Sequence, residues 1–517
     1  MSRAPDHSER FRGWISQRFG LNFDDSKLDF LAEVLSRRAD KRALAPRPYL
    51  DRLDGPDVES EMQALALELT VPETYFFRHI DQFHAFTDVA LPHAQAARAA
   101  ERKLTVLSAG CASGEEPYTL AMLLRERVTE PGWEIVIRAL DVNPAMLAKA
   151  ARGCYSAWAL RETPADALRR WFRSVGRDFQ LDDSILSAVS FHEANLSRDN
   201  AELWAPATYD VIFCRNVMMY LTANVARALV ARLTRSLVPG GHLFLGHAET
   251  LRGLSNDYHL CHTHDTFYYQ RKDVLAADEP VGAAAMGSGV RDRSREGYAA
   301  PAAAAAADTN EYTNLLQTVQ RASARIHSLT QPSSSKAGPS LAAMSADRAR
   351  ASQVLLALEL LKEDRFTDAL DGLAALSPES ASNPEVLLLR AVLLVHSGQL
   401  TAAECVSNQL LENDELNTGA HYLLALCRES AGDIQGSVDH DRAAVYLDPS
   451  FAMPRLHLGL IARRGGDTES AQRELSQALL LLQREDSSRL LLFGGGFGRD
   501  ALISLCRAEL LATGGLP

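Results

Sequence analysis

Residues 103–124 read KLTVLSAGCASGEEPYTLAMLL. The first seven are mostly aliphatic or β-branched over a length that suits a buried strand. Gly110 and Gly114, with Ala109, Ala112 and Ser113, then form a loop of small residues, through which a backbone can approach a ligand closely. A helix is predicted to start near Glu115. The next strand, within EIVIRALD (134–141), ends on Asp141, and an acid at that strand end suits two hydrogen bonds to ribose hydroxyls. The loop lacks the G-x-G-x-x-G pattern and has no basic residue placed for a pyrophosphate. A nucleoside ligand without pyrophosphate therefore fits better than a dinucleotide.

Working outward, YDVIFCRN (209–216) and GGHLFLG (240–246) are further short apolar runs separated by helical patterns. Strand–helix alternation over about 100–272 implies a largely parallel sheet with helices on both faces. Residues 1–95 carry helical periodicity, as in LDFLAEVLSRRADKRALAPRPYLDRL (28–53). From 273 to 345 the chain turns to Ala, Ser, Gly and Pro, the composition of a flexible linker, with a transient helix expected over 311–329.

Residues 346–517 repeat. Asp364, Gly398, Gly432 and Gly466 stand 34 residues apart, with small residues seven before (Ala357, Ala391, Ala425, Gly459) and five after (Ala369, Ala403, Ser437, Ala471). Leu376, Leu410, Ala444 and Ala478 continue the register, and Pro449 ends one unit. This period, with small residues where two helices cross, resembles the tetratricopeptide repeat, an all-α solenoid whose groove binds peptides or helices. The segment from Ser488 is expected to add a closing helix.

Composition narrows the function classes. With 517 residues, two or three domains are expected. A formal charge of −12 argues against general nucleic-acid binding. No apolar run spans a membrane, the N-terminus has no apolar signal core, and seven scattered cysteines lack any C-x-x-C pair. These features predict free thiols in a reducing cytoplasm and no membrane insertion.

In YDVIFCRNVMMYL (209–221), Arg215 and Asn216 interrupt an apolar run at the lip of a buried strand, where a charge and an amide are costly without partners. ETYFFRH (73–79), SAGCASGEEPYT (108–119), LDVNPAML (140–147), this stretch and LVPGGHLFLGHAET (237–250) follow one another at domain-scale spacing. Together, over roughly residues 10–272, they resemble the chemotaxis receptor methyltransferases, the CheR family. The resemblance implies S-adenosylmethionine-dependent methylation of glutamate side chains on chemoreceptors, with S-adenosylhomocysteine as product. It also implies a receptor-facing helical domain at 1–95 and a seven-stranded methyltransferase sheet at 96–272.

Carried over residue by residue, Thr74 and Arg78 reach the cofactor, Arg78 on its methionine carboxylate. One of Glu115 and Glu116 takes the methionine ammonium, and the alignment favours Glu116. Asp141 holds the ribose, and Asn195 and Leu196 lie beside the adenine. Arg215 and Asn216 border the methyl-transfer centre on the cofactor side. Tyr220 is assigned to the target carboxylate and Arg78 to positioning it, the two catalytic residues. Phe76 and Phe77 are read as core anchors. Pro72 stands where family members often have Asn, which puts one cofactor contact in doubt.

The helix around 30–52 carries Arg37, Arg38, Lys41 and Arg42, a local basic surface suited to an acidic receptor helix. The stretch after Phe172 looks short and lacks the Gly-rich extension associated with docking of a receptor's C-terminal pentapeptide. Recruitment to receptor arrays through the repeats, by a protein partner the sequence does not name, is expected instead. HLCHTHD (259–265) offers Cys261, His262 and His264, but alternation sends neighbours to opposite faces, so no metal is expected. Two alternatives stand beside this reading: a repeat-based scaffold with an inactive cofactor-binding half, and a methyltransferase with a non-receptor substrate.

Overall fold

A computed structural model describes residues 4–55, 58–70, 73–273 and 341–514. Pro72 and the helix expected over 311–329 lie outside the described residues.

The chain opens with helices α1 (Ala4–Phe19), α2 (Leu28–Lys41), α3 (Pro46–Leu53) and α4 (Val58–Leu69). Phe11, Ile15, Leu31, Val34, Tyr49 and Leu65 meet at their centre as a separate small core. After α5 (Ile80–Ala85) and α6 (Leu91–Ala97) the alternating region begins: β1 (Lys103–Ala109), α7 (Glu115–Arg127), β2 (Glu134–Asp141) and α8 (Pro144–Arg152). The short β3 (Cys154–Ser156), α9 (Ala165–Trp171), β4 (Phe172–Val175) and β5 (Asp178–Leu181) follow. Then come α10 (Asp183–Leu186), β6 (Val189–Glu193), β7 (Tyr209–Cys214), α11 (Ala223–Ser236), β8 (Leu237–Leu245), β9 (Tyr258–Thr263) and β10 (Thr266–Arg271).

Seven strands form one sheet in the order β6-β2-β1-β7-β8-β10-β9. The first five are parallel, while β10 runs antiparallel to β8 and to β9. Alternation along the strands divides the core in two. Val106, Ile137, Val211, Phe213 and Phe244 face Phe76, Phe77, Phe83 and Phe86, which join the sheet core as anchors. Leu107, Leu140, Ile212, Leu243 and Leu245 face α11. The segment after β2 also builds a three-stranded antiparallel sheet, β3-β5-β4, so a small β subdomain does form from the stretch that read as short.

The repeats are helix pairs: Leu341–Lys362 with Phe366–Ala374, Pro384–His396 with Leu400–Asn413, Thr418–Ser430 with Ile434–Leu447, and Ala452–Arg464 with Thr468–Leu482. Gly398, Gly432 and Gly466 turn each pair with φ of 74°, 82° and 81°, and Asp364 takes the same left-handed turn at 57°. The small residues on either side are buried where the helices cross: Ala357, Ala391 and Ala425 before, Ala369, Ala403, Ser437 and Ala471 after. Where one closing helix was expected there are two, Ser487–Phe493 and Arg499–Ala512; the glycines of FGGGFG (493–498) break the segment. Leu416 and Leu447 from the repeats are buried in the same core as Leu251, Tyr258 and Tyr269 of the sheet domain. No helix among the described residues is long and apolar enough to cross a membrane.

The basic surface expected on α2 is corrected at Arg38, while Arg37, Lys41 and Arg42 stay partly exposed. Arg38 is buried and pairs with Glu61 of α4 at 2.6 Å, Arg42 reaches the other oxygen of Glu61, and Arg37 and Lys41 pair with Glu68 at 2.8 and 3.3 Å. Two α4 carboxylates thus answer four cations. The charge pattern of 30–52 is in large part a helix–helix joint, which a single-helix reading has no means of seeing. The three histidines of 259–264 also go separate ways. His259 meets Glu415, His262 packs on Phe267 with centroids 4.4 Å apart, and His264 meets Asp88.

Candidate functional site

In an open parallel sheet, ligands sit beyond the carboxyl ends of the strands where the order reverses, here between β1 and β7. A cavity of about 720 Å³ opens there, within the size range of small-molecule sites. Thr74, Arg78, Glu116, Asp141, Asn195, Leu196, Arg215, Asn216 and Tyr220 all line it. Residues from four of the five sequence motifs are therefore brought to one place, while none of 237–250 lines it. Phe23, Lys27, Phe30 and Glu68 of the N-terminal helices and Phe83 of α5 line it as well. The motif-based reading did not single these out, because they reach the cavity only through tertiary packing.

The loop after β1 lies against β2: Gly110 and Cys111 donate to the Leu140 carbonyl at 2.7 and 2.9 Å. Asp141 accepts from the Ala112 and Asn143 amides, both at 2.8 Å. Burial nonetheless holds the Asp141 carboxyl above its usual range. Of the paired acids, Glu115 turns inward, with both oxygens on Ser113 Oγ. Glu116 faces the cavity, accepting from Ser108 Oγ at 2.7 Å and from Arg215 Nη1 at 3.3 Å. Burial pushes the Glu116 carboxyl up against the opposing pull of Arg215.

Arg215 thus has its partners. Its other arm donates to the Arg78 carbonyl, and its guanidinium lies 5.3 Å from the Phe83 ring centroid. It joins Glu116 to the turn that carries Arg78. Arg78 donates one Nη to the Glu73 carbonyl at 3.0 Å, while its Nε is buried with no partner among the described residues. A buried donor aimed into a cavity favours an acceptor there. Phe77, His79, Ala112 and Asn216 all have positive φ, at 59°, 57°, 45° and 58°. Of these, Ala112 and Asn216 line the cavity, and strained non-glycine backbone recurs at functional sites.

Two residues sit differently from a simple contact picture. Asn195 lines the cavity, but its amide donates to the Arg18 carbonyl at 2.9 Å and its oxygen accepts from Ser197 N, so it ties α1 to the sheet. Tyr220 belongs to a single turn, Met218–Tyr220, with its ring partly exposed at the cavity mouth. The chain between α1 and α2 braces this turn, since Asn22 N donates to the Tyr220 carbonyl and Leu21 bridges to Leu221.

Residues 72–267 match the family model described as CheR methyltransferase, SAM binding domain. The chain is 34% identical over 274 residues to chemotaxis protein methyltransferase 2 of Vibrio cholerae, covering 52% of this chain and 94% of that protein. The chain belongs to the CheR methyltransferase family. It is an S-adenosylmethionine-dependent methyltransferase. The chemotaxis protein methyltransferase of Escherichia coli is 31% identical over 261 residues, covering 49% of this chain and 87% of that one. A similarity that runs through the repeats joins the chain to the probable biofilm formation methyltransferase WspC of Pseudomonas putida, 28% identical over 471 residues, 90% of this chain and 96% of that protein.

The residues present fit the family's cofactor. The cavity offers a buried acid for an ammonium (Glu116), an unsatisfied guanidinium nitrogen for a carboxylate (Arg78), and an acid at the β2 end for hydroxyls (Asp141). Burying carboxylates without full compensation raises their pKa, and an arriving cation or hydroxyl relieves that cost.

Proposed function

We propose that the chain methylates glutamate side chains of a chemoreceptor's cytoplasmic helices, forming glutamate methyl esters. The observation that carries this reading is the cavity that gathers Arg78, Glu116, Asp141, Arg215, Asn216 and Tyr220 at the switch point, with Tyr220 at its mouth. When bound, S-adenosylmethionine supplies an electrophilic methyl group on a sulfonium and departs as S-adenosylhomocysteine.

The residues' tasks follow from the chemistry. A glutamate carboxylate, with a pKa of about 4.3, is ionised at neutral pH and needs no general base. The protein has to align the attacking oxygen with the methyl carbon and keep water out. Glu116 and Arg78 are assigned the two charged ends of the methionine portion, with Arg215 orienting both. Asp141 takes the ribose, while Thr74, Asn195 and Leu196 complete the walls. Tyr220 donates its hydroxyl to the incoming carboxylate at the mouth, and Asn216 shapes the floor beneath it. The lip lacks the Asn/Asp-Pro-Pro-aromatic sequence common in N-methyltransferases, since Val217 and Met218 follow Asn216.

Receptor contact is assigned to the exposed heads of Arg37, Lys41 and Arg42, without Arg38. The repeats are assigned a protein partner and, with it, recruitment to receptor arrays. Similarity to a relative named for biofilm formation extends through the repeats, which makes a biofilm-linked receptor the second reading of the substrate. The test is transfer of labelled methyl to receptor-containing membranes, scored as methanol released by base. Volatile label is expected, and it should be lost when the receptor's methylated glutamates are replaced by alanine. Label that resists base would overturn the ester reading.

A further inference from the structure

Glu249 belongs to the motif HAET (247–250), yet no role above uses it. It is 4% exposed, and no Lys or Arg pairs with it among the described residues. Its carboxylate is held by backbone amides. Oε2 accepts from Asn216 N at 2.7 Å and from Gly246 N at 2.8 Å, and Oε1 accepts from Met219 N at 3.2 Å. Two of those amides belong to the lip that carries Tyr220, and one belongs to Asn216 in its left-handed conformation. Gly246 makes room for this arrangement, because a Cβ there would stand 2.7 Å from Glu249 Oε2 and 2.9 Å from Asn216 N. A charge-assisted clamp on three amides is a strong way to hold an otherwise unfavourable turn.

The clamp is itself braced from the other domain. Tyr446, on the repeat helix Ile434–Leu447, donates its hydroxyl to the Glu249 carbonyl at 2.8 Å. Its ring stacks on Phe267 of β10, 4.6 Å between centroids and 15° from parallel. Two residues after Tyr446, Asp448 pairs with Arg252 at 3.0 Å, just past the same loop. The repeats therefore touch the methyltransferase at the segment that fixes the catalytic lip.

We propose that Glu249 is a positioning residue for methyl transfer and that the repeats set it through Tyr446, so that the register of the Asn216–Tyr220 lip depends on how the repeat domain is seated. This rests on the reading of Asn216 and Tyr220 given above. A partner bound to the repeats would act on methyl transfer by tightening or loosening this one contact, and not by altering the cofactor end of the cavity.

The test uses the full chain and three variants: Tyr446→Phe, Glu249→Gln, and Arg442→Gln as control. Arg442 makes an interdomain ion pair with Asp265 at 2.7 Å that does not reach the lip. Amide hydrogen exchange is read on peptides spanning 214–221 and, for reference, β1. Tyr446→Phe is expected to speed exchange at 214–221 about fivefold, the equivalent of one hydrogen bond worth about 1 kcal/mol, with β1 unchanged. Methyl transfer should lose kcat by a similar factor while KM for S-adenosylmethionine stays within about twofold. Glu249→Gln should show the same pattern more strongly, and adding Tyr446→Phe to it should change little further. Arg442→Gln should leave both readouts at the wild-type level. Unchanged exchange at 214–221, a rise in β1 as well, or full additivity of the two variants would overturn the proposal. Absence of methyl transfer in the wild type would instead count against the receptor reading, and the exchange result would still decide this one.

Discussion

Arg38 lies on α2 beside Arg37 and Lys41, and its neighbours decide what it does. Its guanidinium is buried against Glu61, which also receives the Tyr49 hydroxyl at 2.7 Å and Arg42. Removing Arg38 takes a charge-assisted hydrogen bond from Glu61, which keeps Arg42 and Tyr49, at a cost of about 1.5–3 kcal/mol. Arg38→Ala is therefore expected to destabilise the N-terminal helices by that amount in denaturant melts. Arg37→Ala, which breaks only a half-exposed pair, should stay within about 1 kcal/mol. At this scale the motifs named Arg78, Glu116 and Asp141, and the fold places all three on the cavity wall. The sequence was silent where a residue's partner lies on another element, as with Glu61 for Arg38 or Arg18 for Asn195. Glu249 was in plain view within a quoted motif, but its task is visible only once three amides converge on it.

At the scale of elements, the repeats show how much a period can carry. Small residues at fixed offsets from a left-handed turn describe two helices crossing closely, and Gly459 shows why. A Cβ there would meet Leu475 Cγ at 2.7 Å, before any larger side chain is considered. The period has no bearing on the buried polar cluster between the last two repeats. His457 Nδ1 lies 2.6 Å from Asp441 and its Nε2 lies 2.8 Å from Glu429. Burial alone would lower the pKa of His457, but its bonds to the two carboxylates outweigh this and raise it from 6.5 to about 9. The folded-state pKa lies above the unfolded one, so this stabilisation is complete below pH 6.5 and is lost as pH rises through 9. The melting temperature of the repeats is expected to fall between those two pH values. His457→Gln should flatten that slope, and a slope unchanged in the variant would contradict the assignment. The β subdomain is the opposite case. Strands of three and four residues leave too short an alternation to be read before the fold pairs them.

For the whole molecule, the strand–helix alternation and the 34-residue period were enough to separate the two architectures. Their joint was not legible, because it is made by scattered single residues from strands, a helix end and a turn. Leu416 and Leu447 bury themselves beside Tyr258 and Tyr269, and Glu415 receives His259 and the Leu260 amide. Sharing core residues should make the two domains melt together. Leu447→Asp, which places a charge in that core, is expected to split a single calorimetric transition into two. An unsplit transition at unchanged temperature would mean that the domains are not coupled through this surface. What the cavity does is decided by finding where the methyl group goes. Receptor helices would be incubated with S-adenosylmethionine and the full chain, and the modified residues mapped by mass spectrometry, with Arg78→Ala alongside. One added methylene is expected on glutamate side chains with the wild type and none with Arg78→Ala. Methylation on any other residue type, or equal methylation by the variant, would contradict that expectation.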